Sequence, residues 1–275
     1  MVEPNLQNVA KNFEVYTGED SDNLEISCRR AFYPTDPKRW LISIDFCQLE
    51  MRILAHLSKD PALLEVMRTK KDIFTAIAAS WYKVSDDNVT DQLRNDTKKI
   101  CYGIVYGMGM CSLADSLKCT EEQANLLSRE FHAAYPYIRT YAEKIVRFAR
   151  INGYIETITG RRRYVENINN ADIRIKNQAE RRAINASIQG SAADIVKRAI
   201  LLTEKNIQKY SSDLGIEENS VRLVLHVHDE LIFEVPKDKA KHIAKVLSTT
   251  MEKCVQLKIP LKVKVKIGKS WGDLK

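Results

Sequence analysis

Residues 221 to 235 read VRLVLHVHDELIFEV, two apolar runs flanking His228, Asp229 and Glu230. Runs of this length, parted by so few polar residues, read as a tight, buried hairpin. Asp229 at its tip has two readings. Asp is a frequent turn residue, and a carboxylate held at strand ends is also placed to bind a divalent ion. The hairpin taken alone leaves both open.

A second candidate stands far upstream. The short apolar run WLISID, residues 40 to 45, ends on Asp45 and reads as a buried strand. If the two strands share a sheet, Asp45 and Asp229 meet at one edge. Close carboxylates repel unless a cation lies between them. Mg²⁺ takes one or two carboxylates together with phosphate oxygens and water. Two such ions about 3.5–4 Å apart can activate a hydroxyl and stabilise a leaving pyrophosphate. Asp45 suits equally well the N-cap of a helix beginning in CQLEMRIL.

Between these strands the pattern is mostly helical. PALLEVM, DIFTAIAASWY and QLRNDTKKICYGIVYGMG each show helical spacing, and TEEQANLLSREFHAAY opens with a Thr120/Gln123 capping box. YIRTYAEKIVRFARINGY stops at Gly153, a natural residue just past a helix end. YIETITGRRRYVENI reads as strand, turn and strand, and one long helical pattern runs from Asp172 to about Tyr210. Residues 211 to 220 read as a polar loop and residues 1 to 40 as irregular. After the hairpin come a helix with proline near its start and LKVKVKI, a strictly alternating strand. Few strands, parted by a helical insertion, imply an α+β fold built on a small antiparallel sheet.

The 275 residues are 44% hydrophobic and carry a net charge of +7, with a pI near 9.0. This basic balance favours a polyanionic partner. Six cysteines without a C-x-x-C pair exclude a zinc ribbon and a dense disulfide framework, and suit reduced thiols inside a cell. No apolar run approaches the ~18 residues of a membrane span, and the opening MVEPNLQNVAKNFEV lacks a signal-peptide core.

Arg94, Lys98 and Tyr102 recur every four residues and share one helical stripe. Such a stripe can clamp a triphosphate and offer a flat ring to a base or sugar, or it can be a solvated face. Gly103 and Gly107 fall within the same helical pattern, each costing ~1 kcal/mol relative to Ala. They imply a close approach to the backbone or a bend. Arg181, Asn185 and Gln189 form another stripe of four, suited to minor-groove acceptors or to solvent. Gly160–Arg163, GRRR, suits phosphate contacts or a basic loop. The lysines of LKVKVKI read as protection of an exposed strand. His56, His132, His226 and His242 lack metal-ligand spacing, and Trp40, Trp81 and Trp271 read as packing residues.

These stretches, in order, carry a resemblance. DFCQLEMRILAHLS, RNDTKKICYGIVYG, GRRRY, AERRAINASIQGSAADIVK and HDE resemble the motifs of family A DNA polymerases, with the theta/nu branch most similar. The resemblance runs from PNLQN to KSWGDLK. It implies a right-hand polymerase fold lacking the thumb. The palm would begin in 1–58, the fingers would occupy 59–170 with the basic helix, and 171–275 would complete both; exonuclease and helicase portions are expected to be absent.

The implied activity is template-directed DNA synthesis, in which a primer 3′-hydroxyl attacks a dNTP. The implied partners are a DNA primer–template and dNTPs, with no membrane. The implied cofactor is Mg²⁺, as two ions, with Mn²⁺ as a substitute. Asp45, Asp229 and the Phe46 carbonyl would hold the ions, with Glu230 in support. Gln48, Glu50, Arg94, Lys98 and Tyr102 would bind the dNTP, and Glu50 would exclude a 2′-hydroxyl. Gln7, Asn8, Tyr106, Arg161, Arg162, Arg181, Asn185, Gln189 and His228 would contact DNA. Phe74 stands where bacterial members have a histidine. A repair or translesion role and a nuclear location are implied by the same branch. Two alternatives stand beside this: a thumbless fragment or isoform that binds nucleic acid but is catalytically weak or inactive, and a single-subunit RNA polymerase, against which Glu50 argues.

Overall fold

The computed structural model describes residues 9–10, 13–15, 24–68, 72–217 and 220–274. Gln7 and Asn8 lie outside them. The described residues form two compact units. One holds the chain up to Cys47, Val196–Val255 and the residues from Leu261 on; the other holds Gln48–Ile195 and Gln256–Pro260. The first division between them falls after Cys47.

The first unit is built on a four-stranded antiparallel sheet. Its strands are β3 (Arg39–Phe46), β6 (Arg222–Val227), β7 (Glu230–Pro236) and β8 (Val263–Gly268), in the order β6-β7-β3-β8. Strand alternation splits β3 between two faces. Leu41 joins Ile232, Val227, Trp271 and Leu274 in one apolar cluster. Ile42, Ile44 and Phe46, all but fully buried, point the other way. Helix α10 (Ala240–Glu252) packs on β3, β7 and β8 and buries Ile243, Leu247 and Met251. β3 is a central strand covered on both sides, which is why its sequence reads as an apolar run instead of an alternation. Two short strands, β1 (Phe13–Val15) and β2 (Leu24–Ile26), pair where the sequence reads as irregular.

The second unit is helical. It comprises α1 (Leu49–Ser58), α2 (Pro61–Arg68), α3 (Ile73–Tyr82), α4 (Asp91–Val105), α5 (Met110–Leu117), α6 (Glu121–Ala134) and α7 (Pro136–Asn152). A small hairpin follows, formed by β4 (Tyr154–Glu156) and β5 (Arg162–Tyr164). The 37-residue α8 (Ile173–Lys209) belongs to this unit as far as Ile195. The expected Thr120/Gln123 capping box and the left-handed Gly153 are both present. The stretch expected as a loop after α8 begins with a one-turn helix, α9 (Ser211–Leu214).

Two buried charges tie these helices together. Arg52, 2% exposed, donates to the carbonyls of Pro260 at 2.7 Å and Met67 at 3.4 Å. Asp60 is fully buried and accepts from Leu63 N at 3.0 Å and Tyr137 N at 3.1 Å, so one carboxylate caps α2 and fixes the start of α7. Charges this deep are tolerated only because backbone partners satisfy them.

Candidate active site

The β6–β7 hairpin turns in two residues, His228 and Asp229. His228 adopts a left-handed φ of 56°, the conformation that lets a two-residue turn follow the twist of its strands. The His226 ring donates to the His228 carbonyl at 2.7 Å. On the neighbouring strand, Phe46 N donates to the Asp229 carbonyl at 3.3 Å. The hairpin tip is thus tied to the end of β3, where Asp45 lies directly opposite Glu230.

The two readings of Asp229 are therefore compatible, since it is a turn residue and it faces Asp45. The N-cap reading of Asp45 is corrected: Asp45 lies within β3, and Gln48, with φ 47°, caps α1.

Asp45 and Asp229 share a side-chain hydrogen bond. Desolvation, the Asp229 charge and the Glu230 charge push the Asp45 carboxyl up to about 7. Desolvation likewise raises Asp229. Such a pair holds a proton in the place a cation would take. Ser43, one turn of the pleat back along β3, donates its hydroxyl to Glu230. Glu230 is thereby engaged within the sheet, which separates it in role from the Asp pair.

These acids line a cavity of about 280 Å³ together with Arg29, His228 and Lys266. Lys266 offsets the Asp45 shift in part. The expectation for LKVKVKI is corrected here: β8 is an edge strand, yet Lys266 turns to the acidic cavity and donates to the Leu274 carbonyl at 3.2 Å. Arg29 donates to Val9 O at 3.1 Å and stacks over Trp271 at 4.5 Å. Neither cation could be matched to the acids from sequence spacing. Among the described residues, no three His, Cys, Asp or Glu side chains converge as a ready metal cage. Two carboxylates and no third ligand match an ion that completes its shell with substrate oxygens and water.

The second unit holds the expected nucleotide residues. Thr90 caps α4, accepting from Leu93 N at 3.2 Å. Thr97, Ile100, Cys101 and Val105 bury one side of that helix. Arg94, Lys98 and Tyr102 share the stripe left more accessible. Arg94 is held by Asp72, with Nε and Nη2 donating at 2.9 and 3.0 Å to its two oxygens. The Tyr102 ring lies 5.6 Å from Phe74 and 5.8 Å from Tyr106, nearly parallel to the latter.

Tyr106 follows the last residue of α4 and is held from several sides. Its hydroxyl donates to Glu50, in the first turn of α1, and accepts from Gln189. Its carbonyl accepts from Asn185 Nδ2 at 3.1 Å. Burial first, then the Glu50 bond, push the Tyr106 phenol well above its usual range.

Gly107 is also a correction. It lies beyond the helix with φ +62°, and a Cβ there would meet Arg181 Cγ at 2.9 Å. Only a glycine meets both demands without strain. Gly103 is helical as expected, and a Cβ would meet Leu113 at 2.9 Å. The stripe Arg181, Asn185 and Gln189 is thus real, and it packs along the end of α4.

Arg161 and Arg162 are exposed but paired. Arg161 Nε donates to Asp194 at 2.8 Å, and Thr157 and Thr159 donate to the same carboxylate at 2.7 Å each. Arg162 donates to Glu156 at 3.2 Å and stacks over Tyr154 at 4.6 Å.

Comparison with known proteins gives a consistent picture. The family model described as DNA polymerase family A matches residues 1–273. The chain is 62% identical over 275 residues to DNA polymerase theta of Drosophila melanogaster, covering all of this chain and 13% of that protein. It is 37% identical over 274 residues to DNA polymerase I of Geobacillus stearothermophilus, covering all of this chain and 30% of that one. Among solved structures it superposes with a TM-score of 0.85 and 34% identity on the POL domain of Pol1 from M. smegmatis in complex with DNA primer-template and dNTP. That match covers 98% of this chain and 45% of the other, so the chain spans less than half the length of each of these relatives.

Proposed function

The chain belongs to DNA polymerase family A, and from that premise we propose that it extends a DNA primer on a template, using dNTPs and two Mg²⁺ ions. One observation carries the reading. Asp45 and Asp229, far apart in sequence, are brought to one sheet edge and share a hydrogen bond. A pair of half-buried carboxylates in this state gains most when divalent cations replace the proton.

Asp45, Asp229 and the Phe46 carbonyl would hold the ions, with Glu230 steadying the hairpin through Ser43. When bound, the ions lower the pKa of the primer 3′-hydroxyl and neutralise the departing pyrophosphate. The other groups position. Arg94 and Lys98 meet the triphosphate with fixed charge, and the Tyr102 ring offers an apolar face to base or sugar. Glu50 fills the place of a 2′-hydroxyl and holds Tyr106. Gln48 lines the nucleotide pocket. Arg181, Asn185, Gln189, His228, Arg161 and Arg162 contact the duplex, the arginines chiefly through phosphates. The M. smegmatis complex with primer-template and dNTP supports these partners. A repair or translesion role and a nuclear location belong to the same proposal, supported by the identity to polymerase theta.

Primer extension by this chain with Mg²⁺ and dNTPs, compared with its Asp45→Ala variant, tests the reading. Extension that needs Asp45 supports it. Duplex binding without extension replaces it with a nucleic-acid-binding role.

A further inference from the structure

Arg94 presents a planar fork to whatever anion approaches the start of α4. That fork is filled. Both oxygens of Asp72 accept from it, at 2.9 and 3.0 Å, in the paired geometry by which guanidinium groups also hold phosphate. Asp72 is simultaneously the N-cap of α3, accepting from Thr75 N at 3.0 Å and from Thr75 Oγ1 at 3.2 Å. Burial pushes its carboxyl up, but Arg94 and Thr75 outweigh that and hold it below its ordinary value. Both side chains are about one-third exposed, so solvent and ligand reach the pair.

We infer that Asp72 is a positioning residue that sets nucleotide affinity, because its carboxylate occupies the Arg94 fork that an incoming triphosphate must take. The inference rests on the reading of Arg94 as a triphosphate-binding residue. The two Asp72 oxygens stand where two phosphate oxygens would bond. A triphosphate must therefore displace them and then lie beside a carboxylate of like charge, which opposes binding on both counts. Displacement does not undo the fold, since the Thr75 bonds that cap α3 remain. Among the described residues, Arg94 also meets Asn95 Oδ1 at 3.4 Å and the Phe74 ring at 6.0 Å and feels the Asp91 charge, none of which supplies the two-bond pairing that Asp72 does.

Asp72→Asn separates the two roles of the residue. Asn caps a helix about as well as Asp, so α3 is kept while the charge is removed. The expected result is a KM for dNTP lowered by about two- to fivefold, the scale of a partly exposed ion pair, with kcat unchanged. Binding of inorganic tripolyphosphate, followed by calorimetry, tightens by the same factor and gives the comparison without turnover. In an Arg94→Ala background, the effect of Asp72→Asn disappears. A raised KM in Asp72→Asn would mean that Asp72 aligns Arg94 for nucleotide, and would overturn the inference. An unchanged KM and unchanged tripolyphosphate binding would overturn it too, and would leave Asp72 as a cap. If Arg94→Ala itself leaves both quantities unaltered, the triphosphate reading of α4 fails first, and the inference falls with it.

Discussion

Asp45 stands directly across the β3–β7 strand pair from Glu230, and the residue before Glu230, Asp229, shares a hydrogen bond with Asp45. Asp45 and Asp229 therefore form the pair, while Glu230 accepts from Ser43. Asp229→Asn keeps the shape of the turn and removes one of the two charges a metal needs. Mg²⁺-dependent extension should fall on the order of a thousandfold or more. Single-turnover extension checks this, and a rate near that of the unaltered chain would remove Asp229 from the metal site.

The raised Asp45 carboxyl has a sign that can be worked out. Its folded value is about 7 against an ordinary 3.8, so the folded protein binds a proton that the unfolded chain has already released. The stability tied to that proton is complete below pH 3.8 and is lost as pH rises to about 7. Asp45→Asn should therefore raise the Tm of metal-free protein at pH 8 by about 2–5 °C. The gain should shrink below pH 4. Differential scanning calorimetry across pH with chelator present decides it, and a lower Tm at pH 8 would contradict the shift. Mg²⁺ binding should also release protons near neutral pH, in an amount set by buffer-dependent calorimetric heats.

Glu50 accepts from Tyr106, so Glu50→Ala both opens space and frees the tyrosine hydroxyl. Use of rNTP relative to dNTP should rise by about tenfold or more. Paired kcat/KM values for the two substrates measure it. An unchanged ratio would leave Glu50 as an anchor for Tyr106 alone.

Gly107 combines a left-handed backbone with an Arg181 side chain 2.9 Å from where a Cβ would sit. Gly107→Ala should destabilise the protein by about 1–2 kcal/mol, read from the urea midpoint. A neutral result would show that Arg181 and the backbone both yield without cost.

Asp194 accepts from Thr157, Thr159 and Arg161 and is only 8% exposed. Asp194→Ala removes the acceptor those three side chains share, and about 2–3 kcal/mol of stability should go with it. Arg161, at 46% side-chain exposure, would then keep its bond to the Gly190 carbonyl at 3.1 Å but lose its ion pair. A change in DNA affinity without a change in urea midpoint would assign Asp194 to DNA positioning instead of folding.

Local pattern made β3, the hairpin, α4 and α8 legible, because each writes its own periodicity or its own caps. Gly153 and the Thr120 capping box were readable for the same reason. Gly107 was misplaced because a glycine inside a helix and one just past its end look alike in sequence; only its φ tells them apart. What stayed hidden was pairing across distance. Nothing near Arg94 announces Asp72, nothing near Arg161 announces Asp194, and Lys266 in an alternating strand looks like ordinary edge protection. Two of these three partnerships change how a candidate binding residue must be understood, since Arg94 and Arg161 carry resident anions. β1 and β2 are illegible in the sequence because strands of three residues leave no alternation to count.

The two-residue turn at His228–Asp229 also bears on which changes in length this chain can absorb. A longer loop could take up an inserted residue by bulging. A turn this short has no slack, and one extra residue would rotate the next side chain to the opposite face of the sheet. Insertions and deletions should be excluded from 227–230 far more strictly than from 211–217, even where substitutions at the tip are accepted.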